Sequence, residues 1–170
     1  MNQHDYAQKI AYYDWLLKDA ASYSHAATLT LKPTRSLLTM HGLYFEKLTA
    51  IEAHNTFRLF LKRLNQNIFG NAAKRFGKSV SVLPVLEGDG DTKLHHYHCA
   101  MGNFPAYLPQ DVIPNLIACA WHETPFGNDH VHVQPIRDSG WGAYMGKDIG
   151  SRNTEVVDLH NLRLPATSQT

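Results

Sequence analysis

The chain has 170 residues, 44% of them hydrophobic and 18% charged, with a formal net charge of +1; that is the balance of one folded domain with its own core. No apolar run approaches the ~18 residues of a membrane span, and the polar opening "MNQHDYAQKI" is not a secretory signal, so a cytoplasmic protein with no membrane partner is expected. Near-neutral charge argues against a protein that coats duplex nucleic acid, and Cys99 and Cys119, which form no Cys-x-x-Cys motif, read as a buried, reduced pair.

A first amphipathic helix is predicted over about residues 5–21, with Tyr6, Ile10, Tyr13, Leu16 and Leu17 at helical spacing. In "AATLTLKP", Ala27, Leu29 and Leu31 alternate with Thr28, Thr30 and Lys32, the pattern of a half-buried strand stopped by Pro33. A long helix follows. Thr49 and Glu52 have capping-box spacing, Phe57, Phe60, Leu61, Leu64 and Ile68 form its apolar face, and Gly70 ends it.

"SVSVLPVLE" (79–87), the turn "GDGDTK" and "LHHYHCAMG" (94–102) read as an antiparallel hairpin. "PQDVIPNLIACAWHE" is another helix with Pro114 near its start, and "HVHVQPI" is a fourth strand. "DSGWGAYMGKDIG" reads as a short helix capped by Asp138 or Ser139 and ended by Gly150, before a loosely held tail from about 152. The order β-α-β-β-α-β predicts an α+β domain of the ferredoxin-like, split βαβ plan, with two helices on one face of an antiparallel sheet. The other face is then open.

Residues two apart on a strand share a face, so His96 and His98 lie together while Tyr97, Cys99 and Met101 take the opposite side. The apolar set belongs over the helices, which leaves the histidines on the open face as a candidate metal-binding pair. Glu87, across the hairpin, can supply a third ligand; Asp89 and Asp91 are close in sequence, but Gly-Asp-Gly-Asp is commonly only a turn. Two imidazoles and a carboxylate leave open positions on a divalent cation, and ligand type permits zinc, manganese or magnesium.

Tyr144 and Lys147, in "YMGK", are three apart and share one face of a helix. A phenol beside a metal-bound phosphate is a candidate nucleophile, although taken alone the pair reads as a half-buried aromatic with a snorkelling lysine. Residues 58–78 carry Arg58, Lys62, Arg63, Lys74, Arg75 and Lys78 without an acid, a block that suits either phosphate or a solvated helix face.

"TLTLKP", then "HYH" preceded by Glu87, then "YMGK", resemble in order the three motifs of the HUH endonucleases. The likeness is to rolling-circle replication initiators with a single catalytic tyrosine, and it covers about residues 26–150. Tyr97 stands where that family usually has a bulky hydrophobic residue. The resemblance divides the chain into a helical extension (1–25), the endonuclease domain (26–151) and the tail (152–170). It implies a sequence-specific single-stranded DNA endonuclease and strand transferase acting at a replication origin, hairpin-forming origins included.

In that scheme Tyr144 attacks a phosphodiester to form a 5′-phosphotyrosine and free a 3′-OH, while Glu87, His96 and His98 hold Mg²⁺ or Mn²⁺. Lys147 steadies the charge or positions the phenol. Thr28, Thr30 and Lys32 contact the DNA, and the basic block follows flanking phosphates, whose contacts position without specifying sequence. No Gly-x-x-x-x-Gly-Lys-Ser/Thr motif occurs, so unwinding falls to a host helicase or to a missing segment.

Three rivals remain. A single-strand transposase or relaxase-like enzyme of the same superfamily would draw its pair from "DHVHV", but no tyrosine follows Tyr144, only twelve residues beyond His132. His130 and His132 are therefore read as structural or DNA-facing. A non-catalytic single-stranded nucleic-acid-binding domain would want aromatics where the open face presents Thr28, Thr30, His96 and His98. A zinc hydrolase could use the same three ligands and would give Tyr144 no part.

Overall fold

The computed structural model describes residues 14, 18, 20–88, 94–137 and 157–165. A 3-10 turn, Ala20–Ser22, leads into β1 (Tyr23–Leu31), β2 (Thr34–Thr39), β3 (Gly42–Lys47), α1 (Ala50–Phe69) and α2 (Asn71–Phe76). Then come β4 (Ser81–Glu87), β5 (His96–Gly102), α3 (Ile113–His122) and β6 (Gly127–Pro135). Most of the expected helix over 5–21, the turn around Asp89 and Asp91, and the stretch carrying Tyr144 and Lys147 lie outside the described residues. Among the described residues no helix is long and apolar enough to cross a membrane.

The architecture is α+β. One sheet runs in the order β4-β5-β1-β6, with every neighbouring pair antiparallel. Alternation on β1 sends Ala27, Leu29 and Leu31 into a core shared with Phe57, Phe60 and Leu64 of α1 and Ile117 and Trp121 of α3. Tyr97, Cys99 and Met101 join that core, as the pattern predicts; the Tyr97 ring lies 4.3 Å from that of Phe57. α1 begins where Thr49 Oγ1 accepts the Glu52 N–H at 3.2 Å and ends at Gly70, whose φ of +53° favours glycine. The Trp121 indole N–H donates to Thr30 O at 3.0 Å, tying α3 to β1.

Two features differ from expectation. β2 and β3 form a hairpin of their own through the turn Met40-His41, in a stretch where no element is expected. Residues 157–165 are the other. They are not loosely held: Val157 bridges Val85 and Arg163 bridges Val82, so this stretch runs antiparallel along the free edge of β4. Val157 packs with Tyr23, Leu83, Val85 and Ala100 on the face away from the helices, which is therefore only partly open.

Candidate metal centre

Sheet register assembles the site. Glu87 is opposite His96 and Val85 opposite His98 across β4–β5, while Thr30 and Thr28 face the same two histidines from β1. All these side chains share the face opposite the helices. His96 Nε2 and His98 Nε2 are 3.2 Å apart, and Glu87 Oε2 is 3.5 Å from the first and 3.6 Å from the second. The three side chains are 9%, 13% and 11% exposed, respectively, so the cluster is largely withdrawn from solvent.

The outer nitrogens explain why the inner ones converge. His96 Nδ1 lies 2.9 Å from Leu94 O; a carbonyl only accepts, so Nδ1 carries the hydrogen and Nε2 of the neutral ring presents a lone pair. His98 Nδ1 lies 3.0 Å from Thr28 Oγ1, a hydroxyl able to accept its N–H and so to turn Nε2 inward. Gly88 supports this arrangement: its φ is +100°, and a Cβ there would come 2.6 Å from Leu94 O, the atom that orients His96.

A cation ~2.0–2.2 Å from each donor needs donors ~3.0–3.4 Å apart in octahedral or tetrahedral geometry, close to the spacing found. The nitrogen and carboxylate donors suit zinc, manganese and magnesium alike. Three protein ligands would leave positions on such a cation for water or another molecule.

Thr28 is thus placed to orient a candidate ligand, His98, a contact that reading β1 by itself could not assign. Thr30 shares the face beside His96; Lys32 lies just past the end of β1, where its N–H donates to Phe126 O at 2.8 Å. The basic block stands elsewhere. Arg58, Lys62 and Arg63 are on α1, Lys74 and Arg75 on α2 and Lys78 just beyond, in the helical layer across the sheet from the metal cluster. Arg63 pairs with Glu123 at 2.8 Å. His132 lies opposite Thr28 on β6, exposed on the face of the Glu87–His96–His98 cluster, and His130 is exposed on the same strand.

The far face of β5 holds residues that sequence reasoning missed. The Tyr97 hydroxyl donates to Asp158 Oδ2 at 3.1 Å; burial, reinforced by the Asp158 charge, holds this phenol well above the ordinary tyrosine range. Asn161 Nδ2–H donates to the same oxygen at 2.6 Å, and His54 Nδ1 lies 2.8 Å from it. Cys99 is buried, its thiol pushed up by that burial and then by Asp158. Cys119 corrects the expected buried pair: it is exposed, because α3 buries Ile113, Ile117, Ala120 and Trp121 instead.

No family model, curated protein or solved structure matches the chain.

Proposed function

We propose that the chain is a metal-dependent single-stranded DNA nicking and joining endonuclease of the rolling-circle initiator type, using Mg²⁺ or Mn²⁺. The observation that carries this reading is the convergence of His96, His98 and Glu87 on one point of the sheet face opposite the helices. The strand order supports it: first and third strands of a β-α-β-β-α-β succession lie side by side at the centre, as the ferredoxin-like plan requires. The chain bearing Tyr144 connects β6, at one edge of that sheet, to residues 157–165 beside the other.

In this proposal the deprotonated Tyr144 oxygen attacks the scissile phosphorus. The Tyr144 O–P bond forms, the P–O3′ bond breaks, and the departing 3′-oxygen takes a proton. The reverse reaction rejoins the strand without ATP, because the bond's energy stays in the ester. A phenol of pKa about 10 is a poor nucleophile at neutral pH, and Lys147, three residues on, supplies a cation that favours the phenolate. A divalent ion on Glu87, His96 and His98 supplies charge neutralisation at the phosphate oxygens. Thr28 and the Leu94 carbonyl keep the ligands aimed. Unwinding beyond the nick is left to a host helicase.

The test is incubation with a pool of single-stranded oligonucleotides and Mn²⁺, followed by denaturing gel electrophoresis and mass spectrometry. A covalent adduct on Tyr144 is expected, absent in Tyr144→Phe and in EDTA, and absent in His96→Ala/His98→Ala. An adduct on another residue would overturn the assignment. The same ligands also suit a zinc hydrolase, which would cleave without an adduct and tolerate Tyr144→Phe.

A further inference from the structure

The β2–β3 hairpin presents to solvent what a folded domain ordinarily buries. Leu38, Leu43 and Phe45 share its outward face, 86%, 61% and 63% exposed, and Met40 at the tip is 96% exposed. Its other face turns toward the body at the base, where Arg35 lies over the Phe126 ring, 5.0 Å from its centroid, and pairs with Glu46. Pro33 O accepts the Leu48 N–H at 2.9 Å, closing the root. A two-stranded hairpin by itself is marginal in water, so these root contacts are what hold an apolar face outward.

Position and charge indicate what meets that face. Glu46 is the sole acid over residues 32–47 and is paired with Arg35, leaving Lys32 and Lys47 to give the root a positive charge. The hairpin springs from the metal end of β1: Thr30 is opposite His96, and the four steps along the chain from Thr30 to Thr34 span at most about 14 Å. Aliphatic side chains alone would suit any protein partner. An aliphatic tip, an exposed aromatic and a basic root within reach of a metal centre suit nucleic acid. Apolar side chains wedge into base steps, aromatic rings stack on unpaired bases, and lysines meet phosphates.

We infer that the hairpin is a strand-separating wedge. At a junction of duplex and single strand, Leu38, Met40 and Leu43 abut the last base pair. Phe45 stacks on the displaced base, and Lys32 and Lys47 hold the phosphates leading to the metal centre. Binding energy then opens a few pairs beside the nick site without a motor, in a chain that has no ATPase motif. The inference rests on the nuclease reading, but its test need not.

The test uses a hairpin oligonucleotide with 2-aminopurine in the terminal base pair of its stem, titrated with the full chain in EDTA so that cleavage plays no part. Fluorescence should rise as the pair opens, and Leu38→Ser/Met40→Ser/Leu43→Ser should need roughly tenfold more protein or fail to open it. With metal present, the same variant should cut a fully single-stranded site at the parent's rate and a stem-buried site far more slowly. An equal fluorescence rise from parent and variant, or none from either, would overturn the wedge while leaving single-strand cleavage to judge the nuclease reading. A parent dimer by light scattering, lost in the variant with no fluorescence rise in either, would reassign the face to a second copy of the chain.

Discussion

β5 separates two clusters of similar composition. On one face His96 and His98 meet Glu87; on the other, Tyr97 reaches Asp158, which lies against His54. Both unite histidine with a buried or nearly buried carboxylate, yet they differ in what surrounds it. Asp158 is surrounded by donors: the Tyr97 hydroxyl, the Asn161 amide at 2.6 Å and the Asn161 backbone N–H at 3.3 Å. A carboxylate has about four acceptor sites, and here neutral donors occupy most of them. At Glu87 the carboxylate oxygen meets two imidazole nitrogens instead, the three atoms 3.2–3.6 Å apart. Such a trio could hold a cation, whereas the acceptor sites of Asp158 are filled by the protein itself. What surrounds the carboxylate separates a structural cluster from a candidate metal site, and residue type does not.

The sharpest way to break that contrast is Asp158→Ala. It leaves the Tyr97 hydroxyl and the Asn161 amide buried without their acceptor, and should cost about 3–5 kcal/mol of folding stability in urea titration. Metal affinity per folded molecule should stay unchanged. Parent-like stability would show that the Asp158 network does not hold the fold.

His96→Ala should behave in the opposite way. Without metal its stability should lie within about 1 kcal/mol of the parent, since the His96 ring lies outside the apolar core. What it should lose is metal-linked stabilisation, about 2.7 kcal/mol for the parent at a metal concentration of 100 Kd. Thermal melts with Mn²⁺ and with EDTA measure both quantities. A variant still raised by Mn²⁺ would remove His96 from the ligand set.

Thr28→Val sharpens the comparison from outside the ligand set. It keeps the side chain's shape and removes the hydroxyl 3.0 Å from His98 Nδ1, so metal affinity should fall about 10–100-fold with the fold intact. Calorimetric titration checks it; unchanged affinity would deny the hydroxyl any part in aiming His98.

How much of this was legible follows the same division between local and distant partners. The Thr49 cap and Gly70 stop of α1, the alternation of β1 and the facing of His96 and His98 away from the core are all local signals, and all stand in the structure. Glu87 was within reach because a hairpin sets its register against His96. The β2–β3 hairpin escaped because "SLLTMHGLYF" runs apolar residues together and breaks the period of two. Thr28's role depends on which strand lies beside β1, and its partner His98 is 70 residues away. Asp158 bonds Tyr97 across 61 residues, and no pattern within "VVDLHNLRL" announces it.

The smallest expected effect concerns a buried histidine beside a hydroxyl and an aromatic ring. His25, on β1, is buried with its ring edge-on to Phe104 at 5.4 Å and Nδ1 2.9 Å from Ser24 Oγ. Burial lowers its pKa below the usual histidine value, because the charged ring would lose its hydration. The unfolded chain then binds the proton more readily than the folded one. His25 therefore costs no stability while pH exceeds the unfolded value near 6.5, and its penalty grows as pH falls from there toward the depressed folded value. Below that value both states are protonated and the penalty is constant. His25→Gln keeps a polar group of similar reach and removes the titration, so its urea midpoint should fall less steeply than the parent's between about pH 7.5 and 5. The slope is the readout, since the substitution also shifts absolute stability. Parallel slopes for the two proteins would mean that His25 charges as easily folded as unfolded, and burial against Phe104 would then carry no cost.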